Sequence, residues 1–198
     1  MRAGVTGNYA SGKGTVCEIF RQFGAIHVDT DIIAREVTAK DSPGLNMIAD
    51  LFGTEFLLPN GELDRRKLGR TVFNDHEKLV RLTDVLNPLI LERTLDLSKD
   101  ESQIFMINAP VLFEAGFDTY MDIIIVVSTP IDSSINRGML RDGLSLEEIT
   151  SRLNNQISLN EKIKAADYVI DNSGSIEQTR IQAEAIWNSL NNSPKTRM

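Results

Sequence analysis

The sequence predicts a doubly wound α/β protein built on a five-stranded parallel sheet, and three observations carry the prediction. Apolar segments of strand length alternate along the chain with segments of helical period. Two strand segments, "QIFMINAP" at 103–110 and "DIIIVVSTP" at 122–130, are near-continuous apolar runs rich in β-branched residues, as parallel strands covered on both faces require. The residues that suggest chemistry follow directly after strand segments, and in such sheets ligands bind beyond the carboxyl ends of the strands.

Taken in order, "RAGVT" (2–6) reads as a short buried strand. "GTVCEIFRQFG" (14–24) has apolar residues at helical spacing and a glycine stop at Gly24. "AIHVDTD" (25–31) reads as a second strand ending in carboxylates. The next stretch, from Ile32 to Lys99, is mainly helical and is broken by the turn-like "KDSPG" and "LPNGELD". It is too long for a simple crossover, so a helical insertion is expected. After the third and fourth strands come two helical segments, 131–143 and 145–157, the second opened by a capping box of Ser145 and Glu148. "ADYVIDNSG" (166–174) reads as the fifth strand and 175–190 as a closing amphipathic helix, with a frayed tail over 191–198. No repeat or linker divides the chain.

The 198 residues carry a net charge of −7, with 41% apolar and 25% charged residues, the composition of an ordinary globular protein. An acidic chain is a poor nucleic-acid binder, because nothing offsets phosphate repulsion globally. The single cysteine, Cys17, rules out an internal disulfide and fits a reducing compartment; it falls in the apolar helical pattern and reads as a packing residue. The longest apolar run, "MDIIIVVS", is too short to span a bilayer. With no leader pattern at the N-terminus, the expectation is a cytoplasmic protein, a monomer by preference, without nucleic-acid or membrane partners.

The strongest motif is "GVTGNYASGKGT" (4–15). Gly7-x-x-x-x-Gly12-Lys13 stands between a strand and a helix, the setting in which backbone N–H groups and a helix N-terminus hold phosphate. The cradle comprises Gly7, Asn8, Tyr9, Ala10, Ser11, Gly12, Lys13, Gly14 and Thr15, with Lys13 as a point charge on the β- and γ-phosphates of ATP. Gly14 stands where a magnesium-ligating hydroxyl is common, so Thr15 is the candidate ligand for Mg²⁺. The "GKGT" ending resembles adenylate kinases, whose loop works with glycine at this place.

No Asn-Lys-x-Asp motif is present, which disfavours a GTPase, and strand three ends in Asn108-Ala109-Pro110 rather than the Asp-Glu of motor-type ATPases. A small-molecule kinase remains, which needs an acceptor base and cations around the transferring group. Asp29 and Asp31 lie at the end of strand two; Asp31 reads either as a base or as a helix cap. Arg137 and Arg141 share a helix face, positioned either for a polyphosphate or as a solvated face paired with Asp142 or Glu147.

Several ordered segments resemble the dephospho-CoA kinase family: "VDTDIIAR", "NGELDRRKLGRTVFND", "NPLI", "APVLFEAGFD", "LRDGLSLEEITSRLNNQ" and "DYVIDNSGSIEQ", spanning about residues 4–180. The resemblance implies ATP-dependent phosphorylation of the 3′-hydroxyl of dephospho-CoA. It implies Asp31 as general base, Lys13 at the ATP phosphates, and Arg141 with Arg137 as lid arginines. It further places Asn172 near the adenine and Arg35, Arg65 and Glu114 on the acceptor side. It also implies a CoA-accepting insertion over 32–100 and a lid over 136–160. The chain departs from the family pattern at Asn8, Ala10, Gly14, Asn87 and Asn108. Another nucleotide or nucleoside kinase, or a non-catalytic nucleotide-binding relative, are the competing readings. His27 and His76 match no metal spacing, and Trp187 reads as a packing anchor.

Overall fold

The structure, a computed structural model, describes residues 1–192; from residue 193 on, the expected tail lies outside the described residues. The chain divides into two compact units, one made of Met1–Asp29 and the chain from Ser98 onward, the other of Thr30–Leu97.

The first unit is built on five parallel strands: β1 (Arg2–Gly7), β2 (Ile26–Asp29), β3 (Phe105–Asn108), β4 (Ile123–Ser128) and β5 (Tyr168–Asp171), in the order β2-β3-β1-β4-β5. The chain leaves β1 towards one side and later crosses to the other. The carboxyl end of β1 is therefore a topological switch point, where doubly wound sheets bind ligands. Helix α1 (Lys13–Phe23) and helix α9 (Ile176–Asn192) cover one face. Val16, Cys17, Ile19 and Phe20 of α1 meet Ala183, Ile186 and Leu190 of α9 over Ala3, Val5, Met106, Ile125 and Val127 of the sheet. Each such fully buried aliphatic or aromatic side chain contributes about 1.5–3 kcal/mol relative to exposure. Cys17 is buried and burial pushes its thiol pKa well up, as a packing residue requires. Trp187 packs tilted against two rings, its centroid 6.5 Å from that of Phe20 and 6.3 Å from that of Phe23. Residues 191–192, which read as tail in the sequence, continue α9.

After β4 the chain forms α6 (Ile131–Asp142), α7 (Leu146–Asn154) and α8 (Leu159–Lys164). The capping box at Ser145 and Glu148 is present. The third helix is not anticipated by periodicity, because six residues give too few turns to show it. Its signal is a second capping box, Ser158 with Glu161.

The second unit is helical: α2 (Thr30–Val37), α3 (Pro43–Phe52), α4 (Arg65–Phe73) and α5 (His76–Leu97). The first turn-like break supplies the cap of α3, with the Ser42 hydroxyl accepting from the Leu45 amide and Pro43 at the first helical position. In the second, an isolated antiparallel bridge pairs Leu57 with Leu63, and Asp64 caps α4. Leu45, Ile48, Phe56, Leu63, Leu68 and Val72 form this unit's core. Pro88 lies inside α5, which runs past it without a break.

Candidate active site

The segment between β1 and α1 has a conformation that its glycines make possible. Gly7 has φ +148° and Gly12 φ +93°. A Cβ on Gly7 would stand 2.3 Å from the Val127 carbonyl oxygen, and one on Gly12 would stand 2.1 Å from Nδ2 of Asn172. Ala10 also adopts the left-handed region, at φ +54°, which costs an L-residue about 1–2 kcal/mol. Its Cβ, a departure from the family pattern, is thus held with backbone strain in the loop. Gly12 precedes α1 without any side-chain cap, whereas α3, α4, α7 and α8 are each capped by a serine or aspartate. Uncapped first-turn amides behind a glycine-rich loop suit a phosphate chain.

The loop is held from outside. Asn172, buried at the end of β5, donates from Nδ2 to the Ser11 carbonyl at 2.8 Å, while its Oδ1 accepts from the Thr179 hydroxyl. The Thr129 hydroxyl donates to the same Ser11 carbonyl at 3.1 Å, and Arg137 donates to the Asn172 carbonyl at 3.1 Å. The Asn172 amide is thus committed to the loop and to Thr179. Lys13 is 7% exposed and lies across the loop, its Nζ 2.8 Å from the Asn8 carbonyl and 3.3 Å from that of Gly7. Gly14 and Thr15 are exposed in the first turn of α1, and a Cβ on Gly14 would meet nothing within 4 Å. A cavity of about 530 Å³ opens beside Asn8 over the ends of β4 and β5, with Thr129, Gln156, Asp171 and Ser173 in its wall. Gly12→Ala is expected to displace Asn172 and to destabilise the protein by about 1–3 kcal/mol, read as a fall in melting temperature. An unchanged melt would show that the Asn172 buttress carries no energy.

Arg141 takes the ion pair that its sequence neighbourhood offers. Its Nε and Nη2 each donate to the Asp142 carboxylate at 2.8 Å, raising the arginine's pKa and holding the carboxyl below its usual range. Asp142 also accepts from the phenol of Tyr9. The partnership of Tyr9 with α6 is invisible in the sequence.

At the neighbouring strand ends, the Asn108 amide donates to Asp29 at 2.8 Å. A carboxylate at 108 would set two negative charges against each other here, so the asparagine relieves repulsion. Glu114 is engaged within the protein: its Oε1 lies 2.8 Å from Nζ of Lys162, which is fully buried, and accepts from the Ile157 amide at 2.8 Å. Lys162 also donates to the Pro110 carbonyl. This ion pair ties the segment after β3 to α8. No motif in the sequence marks Lys162 for a role.

In the second unit, Asp31 lies in the first turn of α2 and is exposed, two residues beyond the end of β2, and not in the strand that the pattern "AIHVDTD" suggests. An acid there interacts favourably with the helix dipole. Arg65 donates from Nη2 to the carbonyls of Arg35 and Thr38, at 3.2 and 3.4 Å. Burial, and then the nearby charge of Arg35, lower its pKa. The two like charges therefore disfavour each other. Among the described residues no group of three or more His, Cys, Asp or Glu is arranged to hold a metal ion, and no helix is long and apolar enough to cross a membrane.

Comparison with known proteins shows the family. The family model described as dephospho-CoA kinase matches residues 1–178. A dephospho-CoA kinase of Bacillus cereus is 41% identical over 194 residues, covering 94% of this chain and 97% of that protein. One from Syntrophotalea carbinolica is 42% identical over 191 residues, with 94% and 90% covered. The solved structure of dephospho-CoA kinase from Campylobacter jejuni superposes with a TM-score of 0.69 at 31% identity, covering 96% of each chain. A shikimate kinase from Acinetobacter baumannii, at 16% identity and a TM-score of 0.57, covering 98% of this chain and 95% of its own, shares the fold alone. The chain belongs to the dephospho-CoA kinase family.

Proposed function

We propose that this protein transfers the γ-phosphoryl group of ATP to the 3′-hydroxyl of dephospho-CoA, with Asp31 as general base and Lys13 and Arg141 on the transferring group. The observation that carries the reading is the uncapped, glycine-shaped loop between β1 and α1, with Lys13 folded into it. The Asp31 carboxylate takes the proton of the 3′-hydroxyl as its oxygen attacks the γ-phosphorus. The bond from that phosphorus to the β–γ bridging oxygen breaks, and ADP leaves. Lys13 exchanges its loop carbonyls for phosphate oxygens. Arg137 fixes the loop through Asn172, and Arg141 approaches the transferring group from α6.

Arg35 and Arg65 offer paired charge to the anionic groups of the acceptor. Glu114 acts on the acceptor side only indirectly, by fixing the segment after β3 through Lys162. Magnesium bound with ATP would neutralise charge on the phosphates, and the exposed Thr15 hydroxyl would be the protein group to hold it. A reducing, cytoplasmic setting suits the single buried cysteine, and a monomer is the expected state.

The test is release of ADP in the presence of ATP and one acceptor at a time: dephospho-CoA, AMP or a nucleoside. Turnover with dephospho-CoA alone supports the reading. Faster turnover with AMP or a nucleoside overturns it in favour of a different kinase, and ATP binding without turnover on any acceptor in favour of a non-catalytic relative.

A further inference from the structure

Tyr9 occupies the middle of the phosphate loop, yet its side chain belongs to a different neighbourhood. Its ring lies against the backbone of α6 at Gly138, where a Cβ would come within 2.5 Å of Tyr9 Cε1. The same hypothetical Cβ would stand 3.2 Å from Cδ1 of Ile149 on α7, so the ring fills a slot between the two helices. The guanidinium carbon of Arg141 stands 5.6 Å from the ring centroid and that of Arg152 5.7 Å, both within the range of cation–π attraction. The phenol donates to Asp142, whose carboxylate holds Arg141 by two bonds. One side chain of the phosphate loop thus gathers two cations and one anion from α6 and α7.

We propose that Tyr9 is a positioning residue for phosphoryl transfer: it clasps the α6–α7 segment to the phosphate loop and sets Arg141 beside it before nucleotide arrives. The inference rests on the reading of Arg141 as an arginine of the transfer step. Its physical content is preorganisation. An arginine on an exposed helix end samples many rotamers, and each must be given up when it meets the transferring group. The ring and the Asp142 carboxylate take up that ordering in advance. Asp142 holds the Nε–Nη2 edge of Arg141 and Tyr9 holds Asp142, so the two Nη1 protons lie outside that pair as further donors for an oxyanion. An ordinary packing role for the ring predicts a stability effect but no dependence on Arg141, and this is what separates the two.

The experiment is a double-mutant cycle on the full chain with ATP and dephospho-CoA, built from Tyr9→Leu, Arg141→Ala and their combination, with kcat, KM for ATP and melting temperature measured for each. The proposal expects Tyr9→Leu to lower kcat/KM for ATP about tenfold in the parent and less than about twofold in the Arg141→Ala background, a coupling in the range contacting residues show. Tyr9→Phe keeps the ring and loses the bond to Asp142, so its loss is smaller, and it carries the same cycle if Tyr9→Leu does not fold. Equal losses in both backgrounds, with Arg141→Ala itself impaired, overturn the role of Tyr9 and leave the reading of Arg141 intact. An Arg141→Ala protein with parental kcat overturns both.

Discussion

Asp31→Asn is expected to lower turnover by about 10²–10⁴-fold while ATP binding stays close to the parent value. That loss corresponds to about 3–5 kcal/mol on the barrier. The structural alternative is far smaller. Asp31 is exposed in the first turn of α2, where an acid gains only about 0.3–1 kcal/mol from the helix dipole. The two roles therefore separate by magnitude and by observable. A base leaves kcat low and the melt unchanged. A helix-end charge leaves kcat within a few-fold and lowers the melt slightly. Measuring kcat with dephospho-CoA, ATP affinity by titration and the melting temperature on the same preparation distinguishes them. Near-parental turnover would remove Asp31 from the chemistry.

Lys162→Met is expected to destabilise the first unit by about 3–5 kcal/mol, because it removes a fully buried cation from the Glu114 carboxylate, which is 17% exposed. One oxygen of Glu114 keeps the Ile157 amide, and the other, Oε2, is buried without a hydrogen-bond partner. Against a total stability of about 5–15 kcal/mol this is a large fraction, and in a chain of this size it lowers the melting temperature by about 10 °C or more. Removing both charges together, Lys162→Met with Glu114→Leu, is expected to recover part of the loss, since no unpaired ion remains. Equal destabilisation by the double and the single variant would show that the pair acts through packing alone. A single variant within about 1 kcal/mol of the parent would show that water reaches the carboxylate.

The parts of the molecule that are legible in one dimension are the local ones. The phosphate loop announces itself through Gly7, Gly12 and Lys13 between a strand pattern and a helix pattern. The Ser145–Glu148 capping box fixes the start of α7 from four letters. The near-continuous apolar runs of β3 and β4 are those of covered strands. What stays hidden depends on partners far apart in the chain. Glu114 reads as a site acid until the fold brings it Lys162, and the sequence offers Arg141 its neighbour Asp142 but gives no sign of Tyr9. Asn108 reads as a departure from the family pattern; in the fold it stands opposite Asp29 and donates to that carboxylate. Asp31 reads as the end of β2 and stands in α2, because a strand that ends in acids and a helix that begins with them look alike as letters.

The claim on which the account rests is that the transferred group ends on the ribose of dephospho-CoA, and the product of a reaction with ATP tests it most directly. Phosphorus NMR of that product is predicted to show one new phosphomonoester, at the 3′-oxygen, formed in step with ADP. A phosphoryl group at any other oxygen, or inorganic phosphate in place of an ester, would contradict it.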